Sequence, residues 1–358
     1  MKPCVLIVAP SLDSSQNVSG VSAVANFIIH NNKEYSYNHF LQGKNDNEAG
    51  GLSRFTRLLR NYRKWKNVLS QMPADHIIHY NFPLDTFAIL RDYFFLNVAR
   101  KQGKRMVVHL HGGLYLFKND KPFIIKHLLD KIFQWDCPFI VLSEKEKEQI
   151  ETVYHAQKVH VLPNCVDLSA ASSFSRNQFE SQLHILFLGR IEPNKGIHYI
   201  YEAMENLMKR EIDFVLHFAG KEQGNNNYVE QFSQLLGEQF VYEGVVSGQQ
   251  KENLIKQCDI FLLPSFYEGL PMSLLESMSF GMIPVTTNVG SISEYVEDGK
   301  TGLFVRAKDA ESIVEAIDKI AKDPELRRNL SVGARNKIFS TLNTEEFIAN
   351  LCNIYQHA

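Results

Sequence analysis

Short, continuous apolar runs alternate with helix-length patterns through most of this chain. In the first half the runs are Cys4 to Ala9, His76 to Tyr80, Arg105 to Leu110 and Pro138 to Ser143; in the second, Leu183 to Arg190, Phe214 to Gly220, Phe240 to Val246, Asp259 to Pro264 and Ile283 to Thr287. A strand that is apolar on both faces must be covered on both, and parallel neighbours need a crossover between them, usually a helix. The pattern predicts α/β architecture with doubly wound parallel sheets. At 358 residues the chain can bury two cores of ordinary size. The polar stretch Leu168 to Gln182, rich in serine, reads as the linker between them. Domains are therefore expected over residues 1–166 and 167–340, with a last amphipathic helix within 341–358.

The stretch Phe266-Tyr-Glu-Gly-Leu-Pro-Met-Ser-Leu-Leu-Glu276 carries the chemistry. It follows an apolar strand, and Pro271 suits the first turn of a helix, where its missing N–H leaves no bond unmade. Gly281 then ends the helix. Such a helix directs its unpaired N–H groups over the strand's C-terminal edge, which favours a phosphate or a sugar oxygen there. At roughly 100° per residue, Glu276 lies about a turn and a half beyond Pro271, so Glu268 and Glu276 can meet one ligand at two depths. An ordinary strand-to-helix turn with solvated glutamates is the plainer alternative. Arg190, at the end of another apolar run, and Lys195, just before Gly196, add two cations beside a helix start, a natural pocket for a diphosphate.

These residues resemble the retaining glycosyltransferases of family 4. Glu268 and Glu276 match the E-x7-E signature inside P-S-x-x-E-G-x-P, and Gly189-Arg190 through Lys195-Gly196 match its G-R-x4-K-G wording. The resemblance covers most of the second half and the first half loosely. It implies the GT-B fold, two Rossmann-like doubly wound parallel-sheet domains facing a cleft, donor in the second and acceptor in the first. The final helix would return to the first domain. The resemblance also assigns roles. Arg190 and Lys195 would hold the donor's phosphates, Glu268 would orient or stabilise the donor sugar, with Gly269 and Leu270 beside it, and Glu276 would bind ribose hydroxyls. Val245, after Gly244, falls where the base is met by backbone. Val159 to Asp167 resembles the family's P-N-G-V-D passage, with Cys165 in place of glycine.

In the first half His111-Gly112-Gly113 ends an apolar run, at the edge where open α/β sheets place ligands. The family has a histidine near the donor sugar at such a position, so His111 joins Glu268 as a candidate catalytic residue. His79 and His109 read as core or supporting residues. The first loop lacks G-x-G-x-x-G, which disfavours a dinucleotide dehydrogenase. Where relatives carry a double glycine, this chain has Ser19-Gly20, and Gly20 is a donor-binding candidate or a simple helix-start glycine.

Ser53 to Ser70 holds six basic residues and no acid. On a helical projection Phe55, Leu58, Leu59, Tyr62, Trp65 and Leu69 share one face and the cations take the rest. It is either a surface helix packed on the first domain or an interfacial helix attracted to anionic lipid, at roughly 1 kcal/mol per cation near the surface.

Net charge is −2 and pI about 6.7, so no global field recruits nucleic acid. Five scattered cysteines show no C-x-x-C or metal spacing, which suggests a reducing compartment. No apolar stretch approaches 18 residues, and the first ten residues are too short for a secretory signal. A cytoplasmic protein is expected, and a lipid-linked acceptor would bring it to the inner face of the cytoplasmic membrane. There is no D-x-D to hold a metal-bound diphosphate, so neither metal nor other cofactor is expected. The expected reaction moves a sugar, a hexose in the first instance, from a UDP- or GDP-linked donor to a saccharide or lipid-linked saccharide, in bacterial cell-envelope polysaccharide synthesis. The competing readings are a nucleotide-sugar epimerase of the same fold and a non-catalytic sugar-nucleotide-binding module.

Overall fold

The computed structural model describes residues 2–13, 16–17, 19–43, 52–118, 120–176 and 179–358, the side chains of 52–55 and 114 excepted. It divides into two compact units, Met1–Cys165 with Thr344–Ala358, and Val166–Asn343.

The first unit runs β1 Cys4–Ala9, α1 Gly20–Asn31, β2 Ser36–Leu41, α2 Leu52–Gln71, β3 Ile77–Pro83, α3 Thr86–Lys101, β4 Arg105–His111, α4 Leu114–Phe117, α5 Phe123–Phe133, β5 Phe139–Val141, α6 Glu144–Tyr154 and β6 Val159–Val161. Its six strands lie in the order β2-β1-β3-β4-β5-β6, all parallel. The second unit contains α7 Ser169–Ser172, β7 Leu183–Leu188, α8 Ile197–Lys209, β8 Phe214–Ala219, α9 Tyr228–Leu236, β9 Phe240–Gly244, α10 Gly248–Gln257, β10 Ile260–Leu263, α11 Met272–Ser279, β11 Ile283–Thr287, β12 Leu303–Val305, α12 Ala310–Lys322 and α13 Pro324–Thr341. Its order is β12-β11-β10-β7-β8-β9, again parallel. The last helix, α14 Thr344–Gln356, belongs to the first unit.

Both orders reverse direction once, between β1 and β3 and between β7 and β10. At that point the two flanking crossovers run to opposite faces, and the C-terminal edge opens into a crevice. Helices cover both faces, so the central strands are continuous apolar runs: Val5, Ile7 and Val8 in β1 and Ile260 to Leu263 in β10 are buried.

Helix α2 docks by Trp65 and Leu69, both fully buried, and the Trp65 indole Nε1–H donates to the Phe95 carbonyl at 2.9 Å. Leu58 and Tyr62 pack against the same core. Leu59, expected on that face, is exposed instead, because at one residue from Leu58 it is turned by about 100° off the packed line. The Phe55 side chain lies outside the described residues. Helix α5 begins at Phe123, directly after Pro122, which stands at the N-cap with ψ 137°.

Nor is the serine-rich stretch a free linker. It forms α7, and Arg176 is buried, donating to the carbonyls of Ile255 at 3.0 Å and Phe280 at 3.4 Å while its Nη1 stands 3.6 Å from Asp259 Oδ1. Polar composition marks it for solvent, but one arginine is enough to dock it against two helix-end carbonyls and a buried carboxylate.

Helix α14 closes the first unit. Phe347 packs edge-on against Phe27 at 5.4 Å, Tyr355 packs against Tyr35 at 5.0 Å, and Arg105 donates to the carbonyl of Tyr355 at 3.0 Å.

Candidate functional site

The order reversal in the second unit decides what its loops can bring together. β7 and β10 are neighbours, so the loop after β7, with Arg190 and Lys195, and the loop after β10, with Glu268, rise from adjacent strand ends. A 3-10 turn, Pro193–Lys195, delivers Lys195, and Gly196 at φ 77° turns the chain into α8. A Cβ at Gly196 would lie 2.3 Å from the Pro264 carbonyl oxygen, so only glycine lets the two loops pass this closely. The Phe266 N–H donates to the Asn194 carbonyl at 3.0 Å and fastens them. Across this seam the Lys195 ammonium meets Glu268 Oε1 at 2.7 Å, both side chains being mostly buried.

Glu268 is fixed from behind as well. The Gly269 carbonyl accepts the Ser291 N–H at 3.0 Å, and a Cβ at Gly290 would lie 2.1 Å from the Glu268 carbonyl oxygen. Leu270 is buried beneath the loop. Pro271 caps α11 in extended conformation, one position earlier than a first-turn proline, and Glu276 follows inside the helix. There the Lys251 ammonium of α10 stands 2.6 Å from Glu276 Oε1. The sequence singled out Glu276 and missed Lys251, one lysine in a polar helix with no motif around it; only the fold makes the two neighbours.

Each glutamate is thus held by one lysine. A carboxylate has acceptor capacity at both oxygens, so an ion pair through one leaves room for a hydroxyl from a ligand. The arrangement offers acceptors for hydroxyls in two places, each with a lysine beside it. Arg190 leaves β7 two residues after its last strand position and is partly exposed. Val245 follows β9 directly and is exposed.

In the first unit His111 is the last residue of β4. Its Nε2 lies 2.7 Å from Asn81 Oδ1, and the Asn81 amide nitrogen donates to the Val8 carbonyl at 3.0 Å. That second bond orients the Asn81 amide, so His111 must donate from Nε2 and keep its Nδ1 lone pair. Burial and the nearby His79 ring push the His111 pKa down to about 3, so the imidazole is neutral. Behind it lies a chain of buried rings. The His109 ring packs against His111 at 4.2 Å between centroids, tilted by 36°, the His79 and His109 rings are bonded through Nε2 and Nδ1 at 3.2 Å, and the Tyr355 hydroxyl bonds His79 Nδ1 at 2.7 Å. Gly20 opens α1 after the N-cap Ser19, and a Cβ there would meet nothing within 4 Å.

Among the described residues no group of three or more His, Cys, Asp or Glu side chains assembles as a metal site. No described helix is long and apolar enough to cross a membrane.

A two-unit α/β chain with two lysine–glutamate pairs in its second unit has counterparts among known proteins. A family model described as "Glycosyl transferases group 1" matches residues 169–337, and one described as "Glycosyltransferase Family 4" matches residues 35–170. The chain is 27% identical over 275 residues to an Escherichia coli UDP-Gal:alpha-D-GlcNAc-diphosphoundecaprenol alpha-1,3-galactosyltransferase, covering 72% of this chain and 70% of the relative. Among solved structures, sucrose-phosphate synthase from Thermosynechococcus elongatus superposes with TM-score 0.77 at 17% identity, covering 99% of this chain and 98% of that one. Anabaena HepE, solved in complex with UDP-glucose, gives 0.72 at 13% identity with 98% of both chains covered. These structures share the GT-B fold. The chain belongs to the group 1 glycosyltransferases of family 4.

Proposed function

We propose that the protein transfers a hexose from a nucleotide-sugar donor to a lipid-linked saccharide, with retention of configuration and without a metal. The observation that carries this is the Lys195–Glu268 pair, a cation and a carboxylate acceptor side by side at one strand edge.

In this reading Arg190 and Lys195 take the leaving diphosphate and, with helix N–H groups, stabilise its growing charge. Glu268, with the Gly269 and Leu270 backbone, holds the donor sugar; Glu276 holds the ribose hydroxyls, and the backbone at Val245 meets the base. His111, neutral and with its Nδ1 lone pair uncommitted to Asn81, is a hydrogen-bond partner for a sugar hydroxyl. Gly20 leaves its side open to ligand. The leaving phosphate accepts the incoming hydroxyl's proton, so entering and departing groups share one face.

UDP is favoured over GDP because the E. coli relative is named for a UDP-linked donor and HepE was solved with UDP-glucose. The same relative is named for a diphosphoundecaprenol acceptor, which supports a lipid-linked acceptor, cell-envelope polysaccharide synthesis and work at the inner face of the cytoplasmic membrane. Exposed cations of α2 would face anionic lipid there.

The test is a thermal-shift screen against UDP, GDP and their sugar conjugates with EDTA throughout. A ligand at about 100 times its Kd adds about 2.7 kcal/mol to the state that binds it. A shift with UDP despite EDTA is expected; no shift with any nucleotide would overturn the donor site. Donor incubated alone should yield no new nucleotide sugar, which an epimerase would make.

A further inference from the structure

Helix α3 is apolar on two opposite sides. Ala88, Ile89, Phe95, Leu96 and Ala99 are buried toward the sheet. At roughly 100° per residue, Phe87, Leu90 and Phe94 fall within about 60° of one another on the side facing away. They are 38%, 37% and 57% exposed. A surface helix normally carries polar residues there. The acids of α3 lie elsewhere: Asp92 is buried against Arg91, Nη2 to Oδ2 2.7 Å, and Asp85 caps the helix through the Ala88 N–H.

The neighbours continue the surface. Helix α2 lies against α3 through Tyr62 and Phe95, ring centroids 5.4 Å apart; it carries no acid, and Arg60, Arg63, Lys64 and Lys66 are exposed along it with Leu59. On the other flank α5 packs on α3 and opens with Phe123 and Ile124, 82% and 61% exposed. Exposed apolar groups in such number mark an interaction surface. A neighbouring helix bearing cations and no acid selects a partner that is itself anionic, and an apolar stripe beside such cations is the make-up of a face that lies in a lipid interface.

We propose that the outward face of the α2, α3 and α5 layer rests on an anionic lipid surface. Phe87, Leu90 and Phe94 enter the boundary between headgroups and acyl chains, and the α2 cations contact the headgroups. This rests on the proposed function only in naming where a lipid-linked acceptor is met. It assigns the hold to α3, which charge pattern alone does not mark.

The experiment is co-sedimentation of the full chain, without donor or acceptor, with phosphatidylcholine vesicles with and without phosphatidylglycerol, at low and high salt. Wild type is expected to bind the anionic vesicles at low salt and to keep part of that binding at high salt. Leu90→Ser with Phe94→Ser should lower partitioning at least about tenfold at both salts, while its tryptophan fluorescence and urea midpoint stay native. Arg60→Gln with Arg63→Gln should lose binding chiefly at low salt. Wild-type partitioning in the double serine variant overturns the proposal. So does a wild-type dimer in sedimentation velocity that the serines abolish in a chain that never binds vesicles. UDP binding is measured in parallel, so failure on vesicles leaves the transferase reading standing, and failure of the donor screen leaves this one.

Discussion

Lys195 Nζ stands 2.7 Å from Glu268 Oε1, across a seam between the loops that follow two adjacent parallel strands. A ligand entering this crevice exchanges one charge-assisted contact for others instead of desolvating lone charges, because both groups are already mostly out of water. Glu268→Gln keeps the shape and removes the charge. Turnover should fall about 10²- to 10³-fold, the loss typical of one electrostatic stabiliser, while the Kd for UDP stays within about twofold of wild type, since the proposed nucleotide contacts lie at other residues. Transfer assays beside calorimetric UDP titration check both. Retained turnover removes Glu268 from the reaction.

Lys251 holds Glu276 at 2.6 Å, so its loss should be felt in donor binding and little in chemistry. For Lys251→Met we expect KM for the donor to rise about 5- to 30-fold with kcat nearly unchanged, the pattern of an interaction made equally in ground and transition states. Equal loss in kcat would mean that Glu276 acts in the chemical step.

Gly196→Ala tests the seam itself. The added Cβ would lie 2.3 Å from backbone at Pro264, at a φ of 77° that alanine resists. A cost of about 2 kcal/mol or more to the second unit is expected, from strain plus the shift of a loop. Urea unfolding followed by circular dichroism should show a lowered midpoint for that unit. Because Trp65 and Trp135 both lie in the first unit, tryptophan fluorescence should not move. A native midpoint would mean that the loops separate at little cost.

Acid should unfold the first unit. His79 and His109 are fully buried, and burial depresses both pKa values, His79 to about 3. Below about pH 6.5 the unfolded chain takes up protons that the folded chain refuses. Stability therefore falls as pH falls, by about 1.4 kcal/mol per pH unit for each such imidazole, and for His79 the decline continues to its folded value near 3. Above pH 7 these groups add no slope. A urea midpoint read by tryptophan fluorescence that stays flat between pH 7.5 and 5.0 would contradict this.

Elements that bury both faces announce themselves by composition, and β1 and β11 were readable to the residue because Cys4–Ala9 and Ile283–Thr287 are continuous apolar runs. The strands that escaped are at sheet edges. β2, Ser-Tyr-Asn-His-Phe-Leu, buries Phe40 alone of its six residues, and β6 and β12 are three residues each, so pairing and not hydropathy defines them. At the site, Glu268, Glu276, Arg190 and Lys195 were legible as motifs. Which of them touch was not, since Lys195 and Glu268 are joined by strand order. The outward face of α3 gives no signal of its own either, because a helix with two apolar faces has no single stripe to find.

Helix α14 lies in the first unit although the chain reaches it only after completing the second. Synthesis runs from the N-terminus, at about 5–20 residues per second. While residues 166–343 are being made, the first unit waits without Phe347 and Tyr355, two buried side chains, and with His79 lacking its hydroxyl partner. The second unit is contiguous and can fold as soon as it emerges. On the ribosome the order of completion is therefore reversed: the domain made first is the one finished last.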